Sequence, residues 1–421
     1  MTKGLRDNLP LGLICLLNLV LGLGYLFFLT DPLYAINHEA TQLALSLAGG
    51  QGFVSAGGLH LKYAVSAILQ PVYPCLLALL IVIFKLPYAF LAMRLLQLAV
   101  LGALIIMIYL IAREVFDERA ALVATGLTAV YFPFINITTI IWDTTLFCLL
   151  TSLAVFLALK YENKFVYLGL LLGVVLGIAV LTNGVALILL PAIFLYLYWR
   201  YRAGGWRTIV NLLLVLAVAA VLVLPWSVRN MIVYRGFIPV RSGFWGVLYL
   251  ANNQDATGTI WLKHDGRLPR DSNEGITLHF RPLIGELATL NEYQQDQYFK
   301  ARFINYVMTR PLEFTRGLFV KLYYFLWANP FEHTNYVWLA EYLFILVFGL
   351  GGLYRGWQEG KRVGLFVLLF LMFTGVYTVM GPLYNWKYRL PIEPFLIVLA
   401  GYGLTAIITR LLRPASLRSR Q

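Results

Sequence analysis

The sequence predicts an all-α polytopic membrane protein of about ten transmembrane helices. It also predicts interfacial helices in a first outer loop and a large outer loop after the seventh span. Three observations lead there. Of 421 residues, 60% are hydrophobic and only 13% are charged, whereas soluble globular domains carry about 25% charged residues. Several apolar runs reach the roughly 17–25 residues that cross a bilayer. The basic residues cluster in short loops between those runs, the pattern that fixes orientation in a membrane.

The run from Leu9 to Leu29 lacks the small-residue cleavage pattern of a signal peptide and is expected to stay as a first span. Spans are then expected near 10–30, 88–112, 120–137, 142–160, 165–182, 185–199, 209–226, 336–354, 363–380 and 391–410. This set puts Lys3 and Arg6, Arg113 and Arg119, Lys160 and Lys164, and Arg200, Arg202 and Arg207 on the cytoplasmic side. Arg355, Lys361 and Arg362, and the tail Arg410, Arg413, Arg418 and Arg420, join them there. Both termini are cytoplasmic in this scheme, and the membrane is expected to be the cell inner membrane. Two apolar stretches must not cross. Pro71–Lys85 would reach only ~24 Å as a helix, at ~1.5 Å per residue, against a core of ~30 Å. Letting it or Pro311–Ala328 cross would turn a basic loop to the wrong side, so both are expected at the outer interface. The chain reads as a single membrane domain, 1–421, with outer segments at 31–87 and 227–335.

The net charge of +13 does not point to nucleic acid, because the bases are spread along loop ends rather than gathered in one patch. Cys15, Cys75 and Cys148 lie in apolar segments without metal-ligand or disulfide spacing, and are expected to be buried small hydrophobes. The five histidines show no ligand spacing and are read as surface residues, with His60 an exception for its place in the first loop. Asn136-Ile-Thr138 matches a glycosylation sequon by pattern.

Several polar groups fall on the outer side. Glu39 opens a helix-like segment directly after the first span. Asp143 stands at the outer start of the fourth. Arg229, Asn230 and Arg241 follow the seventh, and Lys387 and Arg389 precede the last. Taken singly, each has a plain structural role: Glu39 as an acid favoured by a helix N-terminus, Asp143 as a helix cap, and the bases as snorkelling anchors. Asn183 with Gly184 reads as a tight turn. Together, two acids and several cations facing one chamber form a different case. Carboxylates take protons from hydroxyls or hold a divalent ion, and basic groups hold a phosphate and stabilise its developing charge. At a lipid interface the natural phosphate is one carried on a lipid.

The motifs resemble the GT-C class of polyprenyl-phosphate-sugar-dependent glycosyltransferases, nearest to family 39, which includes protein O-mannosyltransferases and lipid A aminoarabinose transferases. The resemblance covers nearly the whole chain. It rests on the acid and Leu-Ala-x-Ser-Leu-Ala-x-Gly-x-Gly-Phe pattern at Glu39–Phe53, on Pro71–Ala78, on the acid at Asp143, on Pro-Trp-x-x-Arg-Asn at Pro225–Asn230, on Phe237–Ser242 with Asn252 and Asn253, and on Tyr388–Pro394.

The resemblance implies a GT-C-like fold and an inverting transfer of a hexose or pentose from a polyprenyl-phosphate donor to a hydroxyl of a glycan, lipid or protein on the outer face. It implies Glu39 as the catalytic base and Asp143 as a second site acid, the two sharing a divalent ion (Mg, Mn or Zn). It further implies a donor-phosphate contact from Arg389, and Lys387, Arg229, Asn230, Arg241, Lys62 and Tyr73 are expected as further substrate contacts. Asn37 and His38 stand where relatives often have a further acid, and Gln70 stands where aminoarabinose transferases have a lysine. Trp245, Tyr249 and Trp261 are expected as sugar-stacking groups. The rival from another class is a transporter or flippase of lipid-linked sugars, whose charges would line a path at the midplane rather than collect at one boundary.

Overall fold

The computed structural model describes residues 3–34, 39–55, 64–162, 166–259, 262–263, 281–327, 336–381 and 385–411. These residues are almost wholly helical, with one two-stranded antiparallel hairpin pairing Val54–Ser55 with Ala64–Val65. Among the described residues, five helical stretches are long and apolar enough to cross a membrane: Leu9–Leu29, Tyr88–Val115, Gly184–Gly204, Trp206–Tyr234 and Tyr336–Gln358. Thr144–Lys160, Tyr167–Thr182, Gly364–Met380 and Glu393–Thr409 are shorter apolar helices beside them. The chain is a polytopic α-helical membrane protein.

Where apolar helices meet in lipid, area burial gives little drive, and close backbone approach takes over. The helix pair Tyr336–Gln358 and Glu393–Leu411 shows this: a Cβ on Gly352 would lie 1.9 Å from the Leu399 carbonyl oxygen. Gly173 likewise lets the Val166–Thr182 helix touch Trp206–Tyr234, since its Cβ would lie 2.7 Å from Val215 O. Neither position has room for alanine.

Two departures from expectation have local causes. The span expected at 120–137 is broken: helix Glu118–Val130 ends, Tyr131 is extended (φ −69°, ψ 104°), and Phe132–Ile137 starts afresh. Pro133 sits in the first turn of the second piece, where its missing N–H costs nothing and its ring disfavours a continuous helix through the residues before it. Conversely, Trp206–Tyr234 runs eight residues past its expected end at 226, carrying Pro225 inside it. Within 227–335, the helix expected at 311–328 is present as Pro311–Leu326, and helices Phe244–Leu250 and Glu292–Thr309 accompany it.

The bundle has two chemically distinct ends. At one, Glu114 pairs with both Lys160 and Arg362, and Arg362 donates to the carbonyls of Leu159 and Glu114. Three of the basic loops therefore meet there. Asp143 begins the helix that Lys160 ends, so it lies at the opposite end. Cys148 is buried as expected, whereas Cys75 is exposed on the Val72–Phe84 helix. The sequon residue Asn136 is buried and accepts a hydrogen bond from the Tyr25 hydroxyl at 2.8 Å.

Candidate functional site

The approach to Asp143 is held by side chains of the Tyr88–Val115 helix. Residues 138–143 lie between two helices and leave carbonyls bare in an apolar setting, where each must find a donor. Arg94 Nε donates to Thr139 O at 2.8 Å. Gln97 Nε2 donates to Thr138 O at 2.7 Å and Ile140 O at 2.9 Å. Arg94 also donates to the carbonyls of Pro32 and Tyr34, so the start of the segment that follows the first helix is bound to the same frame. The Tyr73 hydroxyl donates to Gln97 Oε1 at 2.6 Å and is thereby drawn away from direct ligand contact, although its ring walls the site.

Asp143 occupies the cap position of helix Thr144–Lys160 but makes no capping hydrogen bond. Its Oδ2 instead accepts from Asn183 Nδ2 at 2.9 Å, and its Oδ1 is buried without a partner. The Asn183 Oδ1 in turn accepts from Val185 N, capping the short 3-10 helix Gly184–Ile188. A residue read from sequence as a turn is thus a clamp on the site acid. The signal was faint: an Asn-Gly pair after an apolar run marks a turn far more often than a carboxylate partner.

A cavity beside Asp143 is walled by Ala40, Leu69, Gln70, Tyr73, Trp142 and Thr182. Ala40 follows Glu39, the first residue of helix Glu39–Ala48, so that acid stands one residue from the cavity wall. Lys387, on the short helix Asn385–Arg389, stacks its ammonium 3.5 Å from the centre of the Trp142 ring. Burial pushes the Lys387 ammonium down to about 7, while the charges of Asp143 and then Glu39 work in the opposite sense. One cation therefore sits in the field of both expected acids. Arg241 adds to this field: its charge reaches Asp143, and its side chain packs near Gly184.

The remaining expected residues are engaged by other partners. Arg389 is buried, donates to the carbonyls of Phe325 (3.0 Å) and Trp327 (3.3 Å), bonds Glu393, and stacks on Tyr342 at 3.7 Å. Arg229 donates to Ser66 O and Asn230 Oδ1, both at 2.9 Å, and Asn230 is fully buried with its amide on Ile238 O. Trp226 donates to Val240 O at 2.7 Å. The Pro-Trp-x-x-Arg-Asn segment thus ties the outer chain 238–242 to the long helix. Trp245 and Tyr249 pack within the apolar cluster of the large outer segment, Tyr249 stacking on Phe299 at 5.5 Å. Lys62, Asn37, His38, His60, Trp261 and three further histidines (His264, His279, His333) lie outside the described residues.

Glu292 was not anticipated. Its buried carboxylate accepts from Ser66 Oγ and Ala67 N (both 2.7 Å), Tyr234 OH (3.0 Å) and Ser242 Oγ (2.5 Å). It joins three segments, two of which lead directly to Gln70 and Arg241. Asp296, one turn later, accepts from the backbone N–H groups of Gly243, Trp245 and Gly246 and so closes the start of helix Phe244–Leu250. Burial raises the Asp296 carboxyl while those N–H groups oppose the shift.

For a metal at Glu39 and Asp143, no three His, Cys, Asp or Glu side chains converge among the described residues. Among the described residues, two carboxylates with a lysine in their field are the donors present, fewer than a divalent ion takes.

A family model described as dolichyl-phosphate-mannose-protein mannosyltransferase matches residues 69–228. That stretch contains Gln70, Tyr73, Asp143 and Asn183. Across the whole chain, the fold is similar to the crystal structure of the Archaeoglobus fulgidus oligosaccharyltransferase in its apo form: TM-score 0.62, 15% identity, 99% of this chain and 52% of that one. This chain shares the fold of the matched half of that structure. The Archaeoglobus fulgidus enzyme in complex with an inhibitory peptide and a dolichol-phosphate matches at TM-score 0.60, 14% identity, 97% of this chain and 51% of that one. Its complex with Zn and sulfate matches at TM-score 0.57, 15% identity, 96% of this chain and 49% of that one. The chain spans about half the length of these structures. No curated protein matches it in sequence.

Proposed function

We propose that the chain is a glycosyltransferase that moves a sugar from a polyprenyl-phosphate donor to an acceptor hydroxyl. The observation that carries this reading is the grouping of Lys387, Asp143 and Glu39 around Trp142 and one cavity, at the end of the bundle away from the basic loops. The match to a dolichyl-phosphate-mannose-dependent family over residues 69–228 supports the same chemistry.

In this mechanism the acceptor oxygen attacks the anomeric carbon from the face opposite the phosphate. Its proton passes to the Glu39 carboxylate. The bond from the anomeric carbon to the phosphate oxygen breaks, and its electron pair leaves with the polyprenyl phosphate. Configuration is inverted. Asp143, held by Asn183, orients the reacting groups. Lys387 receives the phosphate. A lysine close to half-protonation suits that role, because an arriving phosphate raises its proton affinity and the ammonium forms where and when the anion binds. Arg241 contributes a second positive charge. Arg389 and Arg229 hold the frame that carries these groups. No step is assigned to a metal. The large outer segment 227–335 covers the site and selects the acceptor. The chain lies in the inner membrane with both termini cytoplasmic and the site outside, in accord with the basic loops at the far end.

The test is sugar transfer by the full chain in liposomes from a panel of labelled polyprenyl-phosphate sugars, with and without a chelator. One donor should give turnover, and E39Q should abolish it while the protein remains inserted and folded. Near-wild-type turnover by E39Q would remove Glu39 as the base.

A further inference from the structure

Two buried polar atoms facing the same cavity lack partners, and they are of opposite sense. Gln70 is 4% exposed, and its Nε2, a donor, makes no hydrogen bond. Asp143 is 9% exposed, and its Oδ1, an acceptor, makes none either. Both line the cavity with Tyr73, Trp142 and Thr182. Buried polar side chains in folded proteins are nearly always satisfied, so two complementary exceptions in one cavity ask for a ligand.

The placement is built rather than accidental. Gln70 ends a stretch pinned by Ala67 N to Glu292 and by Ser242 N to Ala67 O at 2.8 Å. Its Nε2 rests 2.7 Å from where a Cβ on residue 184 would stand, so Gly184 leaves the room that the amide occupies. The neighbouring Asn183 holds the other Asp143 oxygen and so leaves Oδ1 as the open one.

We propose that Gln70 and Asp143 form a subsite for a neutral sugar hydroxyl, which donates to Asp143 Oδ1 and accepts from Gln70 Nε2. A single hydroxyl oxygen offers both functions at once. A phosphate or carboxylate offers only acceptors and meets the Asp143 charge. An ammonium offers only donors and meets the Gln70 amide hydrogens. The subsite therefore selects an uncharged, hydroxylated group at this position. This deepens the glycosyltransferase reading and rests on it for the class of ligand. The hydroxyl belongs either to the donor sugar or to the acceptor.

The experiment uses the full chain in lipid nanodiscs and compares Q70E, D143N and the double variant Q70E/D143N. Each single change puts two groups of the same sense against the hydroxyl. The double change reverses both, and a hydroxyl can turn round to match. The probes are farnesyl phosphate and farnesyl-phosphate mannose, measured by equilibrium binding, together with transfer to methyl α-mannoside. If the donor sugar supplies the hydroxyl, wild type binds the mannosyl probe about tenfold more tightly than the bare phosphate, in keeping with hydrogen bonds to a charged group. Both single variants lose that preference, and the double variant regains most of it. If the acceptor supplies the hydroxyl, the binding preference is unchanged, while KM for methyl α-mannoside rises in the singles and recovers in the double.

Singles that behave as wild type in both assays overturn the subsite, as does a double variant no better than the worse single. A third measurement stands apart from lipid-phosphate binding. Q70L replaces an unpaired donor with an apolar group of similar size and should raise the melting temperature of the ligand-free protein. An unchanged or lowered value would mean that Gln70 is satisfied within the fold and would overturn the subsite. Failure of wild type to bind either farnesyl probe, with Q70L still stabilising, would instead count against the lipid-phosphate donor.

Discussion

Glu292 and Asp143 are both buried carboxylates, joined through residues 66–70, yet their surroundings differ in kind. Glu292 accepts hydrogen bonds from two serines, a tyrosine and a backbone N–H. Asp143 accepts one from Asn183 and keeps an oxygen bare. A carboxylate saturated by the fold binds segments together, and its negative charge is spent on them. A carboxylate held on one oxygen and open on the other keeps the capacity to act on something else. The cations differ in a parallel way. Arg389 and Arg229 are committed to backbone carbonyls, whereas Lys387 stands in the field of two acids against an indole face. By this measure a buried carboxylate in a membrane enzyme is informative when the fold leaves one of its oxygens unsatisfied.

The strongest break of this comparison is at the acids themselves. E39Q and D143N should each lower transfer by about 10²–10⁴-fold, the usual contribution of a positioned acid or base, with melting temperature nearly unchanged. E292A should do the opposite, lowering stability by about 3–5 kcal/mol because several buried donors lose their acceptor together. It would be seen as early thermal unfolding in detergent, with any surviving protein still binding donor. Equal effects of D143N and E292A on both activity and stability would erase the distinction.

Next comes Lys387. K387M should raise the donor KM by about 10–100-fold, the worth of a charge-assisted contact. In the ligand-free protein this lysine loses its proton as pH rises through about 7, so wild-type kcat/KM for the donor should fall above that pH. K387R, which stays charged, should move the fall upward. A profile unchanged by K387R would take the phosphate away from this residue.

A smaller effect is expected at Asn183. N183A frees Asp143 Oδ2 and should cost about tenfold in kcat. Rescue of the rate by N183Q but not by N183L would assign the loss to the hydrogen bond rather than to packing.

The smallest effect concerns Lys321, a buried lysine 1% exposed on the Pro311–Leu326 helix. It donates to Asn252 Oδ1 and Val379 O, both neutral, and burial lowers it to about 7. Between that value and its ordinary range near 10.5, the unfolded chain holds a proton that the folded chain does not. Stability contributed by this site should therefore rise with pH across that interval. K321M should flatten the rise in melting temperature between pH 7 and 10.

The legible part of this protein was its membrane architecture. Apolar run lengths and basic loops marked the helices at Leu9–Leu29, Tyr88–Val115 and Tyr336–Gln358, because the bilayer imposes a length and a sign on each segment independently. Glu39, Asp143 and Lys387 stand out as candidates for a related reason: a charge beside an apolar run is conspicuous. Gln70, Asn183 and Glu292 do not. Asn183 reaches Asp143 across 40 residues and Glu292 reaches Ser66 across 226, and no local pattern encodes such a meeting. The Arg389 and Arg229 positions show the converse, since identical guanidinium groups bind a phosphate or a carbonyl according to what the fold brings near.

The sequence by itself therefore determined that the chain is built of apolar membrane helices and which residues carry charge beside them, because both follow from the transfer of individual groups between water and hydrocarbon. Only the tertiary structure decided which of the buried carboxylates are saturated and which keep an oxygen open. That depends on donors and acceptors delivered from distant helices, and it separates the carboxylate of Glu292 from that of Asp143.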